Sequence, residues 1–291
     1  MRYSLRQLEV FLATAREENV SRAAESLAMS QSAASGSLKE LERQFGIQLF
    51  DRVGKRLQLS DLGRQLRPQA ESLLDQARAF EEALGGEQFS GRLEVGATLT
   101  IGNYLAVGLI AEFSRRHPAA DIGLTVANTE TIVERVANFG LDMGLIEGEV
   151  HHPDLETRFW REDELQVFTA PESPLVKAGA LSDEDLLAQA WIVREPGSGT
   201  RQTFDRALQG ILPDLNIAME LQHTEAIKRA VEAGLGVGCL SRISLADAFE
   251  RGSLVPLQVP HRDFHRQFYL ISHRRKFQSP MLREWLHLCL H

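Results

Sequence analysis

The stretch NVSRAAESLAMSQSAASGSLKELERQ, residues 19–44, decides the fold of the N-terminal part of this chain. Asn19 can cap a short helix over about 22–27, and Ser30 can cap a longer one over about 31–44. Small or apolar residues stand where two helices that cross at a steep angle come into contact: Ala23, Leu27, Met29, Ala34 and Leu38. This spacing predicts a helix-turn-helix.

Elements on both sides of this stretch extend the pattern. Residues 4–7, SLRQ, have the form of a capping box and open an amphipathic helix of about three turns. Residues 46–52 and 56–59 alternate between apolar and polar side chains, which predicts a β-hairpin beside the helices, in other words a wing. The predicted wing tip is basic and contains Arg52, Lys55 and Arg56. Such a tip can reach phosphates or the minor groove of DNA.

The second helix of the pair carries a short polar stripe on its outer side. The stripe consists of Gln31, Ser32, Ser35, Gly36 and Lys39. Glutamine can bond an adenine edge, serine can bond bases or phosphates, and lysine can bind guanine or a phosphate. The alternative is an ordinary solvated helix face. The opposite face of this helix, however, has the contact residues of a helix-turn-helix, and this favours DNA binding by the polar stripe.

The run from residue 5 to residue 63 resembles the N-terminal domain of LysR-type regulators, without a gap. The resemblance implies that the helix over about 31–44 enters the major groove and that the wing lies beside it. It assigns base or phosphate contacts to Gln31, Ser32, Ser35, Lys39, Arg52 and Lys55. Two residues depart from the common form. Ser32 stands where proline is frequent, and Gly36 stands where arginine is frequent, which removes a possible base contact and costs about 1 kcal/mol of helix stability relative to alanine.

A long helix follows the wing. Ser60 can cap it, and an apolar seam of near-heptad spacing runs along it: Leu62, Leu66, Ala70, Leu73, Ala77, Phe80 and Leu84. A helix of about 24 residues spans roughly 36 Å, and an apolar seam of that length needs a partner. The resemblance implies the same helix of a second chain, in a homodimer or homotetramer. The alternative is that the seam packs on its own domain.

From residue 91 onward strand and helix patterns alternate in the order βαβαβ, which predicts parallel sheets. The resemblance implies two α/β lobes, like those of small periplasmic solute-binding proteins, with chain crossings near 162–165 and 263–267. The predicted fold class is therefore an α+β multidomain chain. Its parts are a winged helix-turn-helix (1–60), a linker and dimerisation helix (61–88), and an effector-binding domain (89–291) with lobe I at 89–163 and 266–291 and lobe II at 164–265.

Several polar residues lie at predicted strand-to-helix turns, where hydroxyls and free backbone N–H groups can bind an anion. They are Thr98, Thr100, Asn128, Thr129, Gly197, Ser198, Thr200, Arg201, His223 and Thr224. We expect Arg201 to be the main charge partner of the ligand. The alternatives are plain helix caps for the hydroxyls and a surface pairing of Arg201 with Glu195 or Asp205. The string REPGSGTR, residues 194–201, resembles the LysR subgroup that regulates sulfur assimilation and carbon fixation, which implies an inorganic or small-carboxylate effector.

Charge and composition are consistent with this division. The 291 residues carry a net charge of -8, but residues 1–67 hold 11 Lys/Arg against 8 Asp/Glu. The first residues lack the pattern of a signal peptide, and no apolar run could span a bilayer, so we expect a cytoplasmic protein without a membrane partner. Cys239 and Cys289 have no spacing that suggests a disulfide framework or a zinc site, and no cofactor or metal is expected.

Two other classes of function are less consistent with the sequence. An enzyme is not expected, because GxSxG, HExxH and CxxC patterns are missing from the sequence. A solute-binding protein without DNA function is the closer alternative, and the helix-turn-helix opposes it. The predicted partners are double-stranded DNA, a small effector, a second copy of the chain and, by resemblance, RNA polymerase.

Overall fold

The computed structural model describes residues 2–53, 56–85, 89 and 91–291. The N-terminal part contains α1 Leu5–Glu17, α2 Val20–Ser26, α3 Gln31–Phe45, β1 Phe50–Val53, β2 Arg56–Leu59 and α4 Asp61–Gly85. The strands pair antiparallel as a hairpin that follows α3. The predicted winged helix-turn-helix and long helix are therefore confirmed.

Local chemistry explains where these helices begin and end. Ser4 forms the capping box of α1 with Gln7, and Asn19 accepts hydrogen bonds from two backbone N–H groups at the start of α2. Gly46 adopts a left-handed conformation that ends α3, so the first strand of the wing starts at Phe50 rather than at residue 46. Ala34, which is fully buried, lets the helices approach closely.

The long helix α4 faces two environments. Its first half packs on the core of the winged domain, where Ala70 and Leu74 are buried and Leu66 is partly buried. The prediction that Ala70 belongs to a dimer seam is corrected here, because its methyl group already contacts the chain's own domain. Toward the C-terminal end, the side chains of Phe80 and Leu84 are 64% and 71% exposed.

The C-terminal part has two α/β lobes. Its strands are β3 Arg92–Thr98, β4 Asp121–Ala127, β5 Met143–Glu147, β6 Leu155–Thr169, β7 Ala190–Arg194, β8 Asn216–Leu221, β9 Val237–Ser241, β10 Val255–Pro256 and β11 His265–His273. Its α-helices are α5 Leu99–Ile101, α6 Val107–Arg116, α7 Thr129–Ala137, α8 Asp183–Leu187, α9 Gly199–Ala207, α10 Thr224–Glu232, α11 Arg242–Glu250 and α12 Pro280–Leu290. A π-helical turn, Gly102–Ala106, joins α5 to α6.

The long strand β6 connects the two lobes. The strand order is β4-β3-β5-β11-β6-β9-β7-β8, and β10 pairs with β6. Strand β6 pairs with β11 as far as Glu164 and with β9 from Leu165, so it changes partner at the boundary between the lobes. The outer strands of each lobe pair in parallel, as the alternating pattern predicts. This arrangement brings the C-terminal ends of β3 and β5 toward the N-terminal end of α9.

Each lobe has its own apolar core. Trp285 of α12 is fully buried in the first core, where its ring meets the edge of Phe113. Trp191 of β7 is fully buried in the second core, against Phe204. Within the described ranges, no helix is both long and apolar enough to cross a membrane.

Candidate DNA-reading surface and effector cleft

The outer side of α3 presents the predicted polar stripe. Gln31, Ser32, Gly36 and Lys39 are exposed, and Ser35 is half-buried. Arg52 is exposed in β1, and Arg56 lies in β2. Lys55 falls outside the described residues. A stripe of this kind leaves side-chain donors and acceptors free for a nucleic acid, whereas the opposite side of α3 packs into the domain core.

A buried carboxylate occupies the centre of the cleft between the lobes. Glu147 ends β5, and only 1% of its surface is exposed. Its Oε1 accepts from the backbone N–H of Thr100 at 3.3 Å, and its Oε2 accepts from the hydroxyls of Thr100 at 3.3 Å and Thr200 at 2.9 Å. Thr100 belongs to lobe I and Thr200 to α9 of lobe II, so the carboxylate joins the lobes.

Arg266 of β11 provides the positive charge of this site. Its guanidinium donates to Glu147, to Asp163 at 2.6 Å and to the hydroxyl of Thr200 at 2.9 Å. The other oxygen of Asp163 accepts from the hydroxyl of Ser241 at 2.8 Å. Within this hydrogen-bonded group, one guanidinium therefore stands against two buried carboxylates, and the nearby buried Arg194 is paired with Glu195.

The surroundings of Glu147 keep it charged. Burial alone would raise the pKa of this carboxyl, but the charges of Arg266 and Arg194 and the hydroxyl of Thr200 outweigh burial. The pKa of Glu147 therefore lies below its ordinary value. A carboxylate held in this way marks a place where the protein stabilises a negative charge.

The lobes also touch beside Glu147. Thr129, the first residue of α7, donates to the carbonyl of Glu147 at 3.0 Å and accepts from the backbone N–H of Gly199 at 3.1 Å. Gly199 is required here, because a Cβ at this position would collide with the carbonyl of Glu147. A second contact joins Tyr104 to Glu225 at 3.0 Å, and Glu225 in turn pairs with Lys228 at 2.5 Å. The cleft is thus closed in this structure.

The structure divides the predicted effector residues into groups. Thr100 and Thr200 bind the Glu147 carboxylate. Thr98 and Thr224 are buried. The hydroxyl of Thr224 has no hydrogen-bond partner among the described residues, whereas that of Thr98 lies beside Glu147 and helps to lower the pKa of this carboxyl. A cavity of about 650 Å³ between α7 and α9 is lined by residues that include Thr129, Gly197, Ser198 and Arg201.

Helix capping accounts for two of the predicted residues. Asn128 and Ser198 accept hydrogen bonds from the first turns of α7 and α9, as the capping alternative held. His223 precedes α10, is exposed and makes no capping hydrogen bond.

Arg201 lines the cavity between α7 and α9, and in this structure its guanidinium is paired with side chains of lobe II. Its guanidinium donates to Asp205 at 2.8 Å, to Glu220 at 3.0 Å and to the carbonyl of Arg194 at 3.0 Å. These bonds hold it within lobe II, and pairing with Asp205 was one of the alternatives. Arg266 is the guanidinium at the buried site.

Sequence reasoning missed Glu147, Asp163, Ser241 and Arg266. For Glu147 a signal existed, since a carboxylate directly after an apolar strand lies at the same sheet edge as Thr98. Arg266 falls in a crossing segment, 119 residues from Glu147, and nothing local marks it.

Other kinds of chemistry receive little support. Over the described ranges, histidine, cysteine, aspartate and glutamate form no group that could hold a metal ion. Cys239 and Cys289 are both buried in separate lobes, and burial raises the pKa of the Cys289 thiol to about 12. A thiol of this kind is unreactive as a nucleophile or redox sensor.

A winged helix-turn-helix, a long connecting helix and a two-lobed α/β domain with a polar cleft define a class of ligand-responsive DNA-binding regulators. The family profile "Bacterial regulatory helix-turn-helix protein, lysR family" matches residues 5–64, and the profile "LysR substrate binding domain" matches residues 86–291. The chain belongs to the LysR family of bacterial transcriptional regulators, which supports neither an enzyme nor a solute-binding protein without DNA function.

Two relatives span nearly the whole chain. The uncharacterized HTH-type transcriptional regulator YeiE of Escherichia coli K12 is 43% identical over 289 residues, covering 99% of this chain and 98% of the relative. The RuBisCO operon transcriptional regulator of Allochromatium vinosum is 34% identical, covering 96% of this chain and 93% of the relative. The resemblance to the carbon-fixation subgroup is therefore confirmed.

Solved structures agree with the fold. A full-length OxyR variant of Pseudomonas aeruginosa aligns with a TM-score of 0.75 at 22% identity, covering 100% of this chain and 94% of OxyR. Full-length CbnR complexed with target DNA aligns with a TM-score of 0.59 at 18% sequence identity, covering 98% of each chain. The regulatory domain of Synechocystis PCC6803 CcmR in complex with 2-PG aligns with a TM-score of 0.64 at 27% sequence identity, covering 69% of this chain and 96% of that domain.

Replacing Glu147 with glutamine should make the free energy of unfolding less dependent on pH in the acidic range. Because the pKa of Glu147 is lowered on folding, the carboxylate stabilises the fold above its unfolded value of 4.5, and this contribution is lost as the pH falls further. The free energy of unfolding, measured by urea unfolding at several pH values below 4.5, should change less steeply with pH in Glu147→Gln than in the wild type. The difference in this slope should be up to about 1.4 kcal/mol per pH unit. The exposed Glu156→Gln is the control, and equal slopes in the wild type and Glu147→Gln would contradict the assignment.

Proposed function

We propose that this regulator binds promoter DNA through α3 and the wing, and that a small anion in the cleft changes this binding. The observation that carries the proposal is the convergence of buried donors from both lobes on the carboxylate of Glu147. An arrangement that stabilises an internal carboxylate is chemically suited to an oxyanion or carboxylate ligand. Calorimetry of anion binding, combined with DNA-binding assays, tests it.

The DNA-binding assignment rests on the exposed side of α3 and on charge. Gln31 is the first residue of α3, where base edges are read in a helix-turn-helix, and the exposed Lys39 lies about two turns further along the helix. Residues 1–67 carry a balance of +3, although the chain as a whole is acidic. CbnR, which shares the fold, was solved on its target DNA.

Lys39→Ala and Arg52→Ala should each weaken binding to the intergenic DNA upstream of this protein's own gene. Each change removes a cation from the proposed interface. We therefore expect the slope of the logarithm of the DNA-binding constant against the logarithm of the salt concentration to become less negative by about one unit. Arg283→Ala, which removes an exposed cation from α12, is the matched control. Unchanged affinity and slope in Lys39→Ala and Arg52→Ala would remove these residues from the interface.

An anionic effector has to meet the charge of Glu147. Arg266 already faces two carboxylates, and Arg194 pairs with Glu195 at 2.7 Å. A second anion at the donors of Glu147 would place like charges side by side, which favours uptake of a proton by one of them. We infer that the ligand binds together with a proton and shares the hydroxyls of Thr100 and Thr200. The unpaired hydroxyl of Thr224 and the hydroxyl of Thr98 beside Glu147 are further donors.

Sulfate, phosphate, acetate, shikimate and 2-PG are suitable probes, the last two because related regulatory domains were solved with them. We expect at least one to bind, with higher affinity at about pH 6 than at about pH 8 because binding takes up a proton. Thr100→Val with Thr200→Val should weaken binding by about 10-fold or more, since each loses a hydrogen bond to a charged group.

Thr203→Val is the matched control for the effector prediction. Thr203 is a buried threonine of α9 whose hydroxyl bonds the carbonyl of Gly199 within the same helix. Equal affinity in the wild type and the double valine variant would move the site elsewhere. Affinity independent of pH would refute the coupled proton, and a wild type that binds none of the five probes would count against a small-anion effector.

The exposed end of α4 is the proposed surface for a second copy of the chain. Leu73, Phe80 and Leu84 share one side of the helix and are 42%, 64% and 71% exposed. Leu62 and Ala77 are half-buried on the same helix. An apolar row of this length is covered by its symmetry mate in coiled-coil dimers.

Phe80→Asp should weaken self-association by about 100-fold or more, because a twofold interface receives the buried charge twice. Sedimentation over a range of concentrations measures the change. The neighbouring Glu81→Gln changes an exposed residue of α4 and should leave the association unchanged. A Phe80→Asp protein that associates as tightly as the wild type would show that this end of α4 is not the interface.

A further inference from the structure

The winged domain, α4 and lobe I meet at a partly buried cluster of charged and polar side chains, which we call the junction. It consists of Arg16, Arg67, Glu71, Asp75, Asn138, Asp142 and Lys276. Arg16 belongs to α1, the next three residues belong to α4, and the last three belong to lobe I. All three parts of the chain therefore contribute to it.

A lysine of lobe I binds both lobe I and α4. The Nζ of Lys276 lies 2.7 Å from Asp75 of α4 and 2.7 Å from Asp142 of lobe I. The lysine side chain is only 10% exposed. Buried pairs of this kind have strict geometry, because separating them leaves charges without partners.

A second ion pair connects α4 to the winged domain. The carboxylate of Glu71 is 3% exposed and accepts from Arg16 of α1 at 2.8 Å. Arg67, one turn earlier on α4, lies 3.9 Å from the same carboxylate. The junction thus fixes α4 to the domain that carries α3.

Arg67 also contacts the C-terminal end of α7. Its guanidinium donates to the backbone carbonyl of Asn138, the residue that follows α7, and to the side-chain oxygen of Asn138 at 3.4 Å. The guanidinium carbon lies 5.9 Å from the ring centre of Phe139. A cation at this end of a helix satisfies free carbonyls and favours the helix dipole. An arginine of the linker helix therefore caps a helix of lobe I.

The other end of α7 lies in the effector cleft. Thr129, its first residue, bonds the carbonyl of Glu147 and the backbone N–H of Gly199 in lobe II. Ile132 and Val136 are fully buried against the sheet, so the helix is packed along its length. Nine residues span about 13 Å, which makes α7 a short, direct connection between the cleft and the junction.

We propose that α7 transmits the state of the cleft to the DNA-reading domain, with the Arg67–Asn138 and Lys276–Asp75 contacts as its receiving end. The inference rests on the proposed function, since it concerns the response of that same cleft. Opening of the lobes changes the bonds of Thr129, shifts α7 along the sheet and alters the contacts of Arg67 and Lys276. The position of α4, and with it the position of the winged domain, then follows the cleft.

Hydrogen–deuterium exchange of the full chain tests this without an identified effector. Thr129→Val removes the hydroxyl at the cleft end of α7 and keeps the side-chain shape. We expect faster amide exchange not only near Gly199 but also over residues 67–79 of α4, by about threefold or more. Because coupling is reciprocal, Arg67→Gln should speed exchange in residues 145–148 of the cleft.

A double-mutant cycle separates coupling from simple loosening. The effect of Thr129→Val on amide exchange in α4 is measured in two backgrounds, the wild type and Arg67→Gln. If α7 acts through Arg67, this effect should be much smaller in the Arg67→Gln background. Asp75→Asn breaks the pair between α4 and Lys276, together with a 3.7 Å pair to Arg78 within α4, and leaves Lys276 with Asp142. It replaces Arg67→Gln if that variant does not fold. Glu81→Gln is the control on α4.

Two results would overturn the proposal. One is exchange in α4 at the wild-type rate when Thr129→Val has visibly loosened the cleft. The other is strict additivity in the cycle. Neither depends on DNA or on an anion, so failure of the proposed function, seen as a wild type without DNA or anion binding, is recognised separately.

Discussion

The buried carboxylate of Glu147 sets the geometry of the effector-binding domain. A charge removed from water is tolerated only where donors and an opposite charge surround it. Here the donors come from both lobes, since Thr100 and Thr200 bind the same oxygen, and the charge comes from Arg266 on a crossing strand. The carboxylate of Glu147 therefore has all of its hydrogen-bond donors only when the lobes are closed. A change in the charge of Glu147 should in turn change how firmly the lobes close.

The winged domain could be predicted from the sequence because its signals are local. Caps at Ser4, Asn19 and Ser30 each act within three residues, and the helical period shows which side is buried. The same period could not decide the partner of α4. Ala70 and Leu84 lie on one predicted seam, yet Ala70 packs on its own domain and Leu84 is exposed. Periodicity gives a face, and tertiary contacts decide what covers it.

The cleft was predictable only in part, for the same reason. Thr100 and Thr200 stand at strand-to-helix turns, and turn chemistry can be recognised in a sequence. Which arginine serves the site depends on distances across the fold. Arg201 is close in sequence to the polar loop, but Asp205 lies one turn further along α9 and holds it. Arg266 reaches Glu147 because β11 pairs with β5, where Phe268 lies opposite Glu147.

The charge balance of the site bears on how it can discriminate between ligands. Residues 68–291, which comprise most of α4 and the effector-binding domain, carry 21 Lys/Arg against 32 Asp/Glu, so the long-range field of this part of the chain does not attract anions. Attraction has to come from short-range hydrogen bonds at a centre where one guanidinium faces two carboxylates. A ligand that brings a proton, or causes Glu147 to take one, relieves the repulsion, whereas a fully deprotonated dianion adds to it. Under the proposed function, the site should therefore prefer weakly acidic oxyanions and carboxylates to strong-acid dianions, and this selectivity would follow from the same buried charge that closes the lobes.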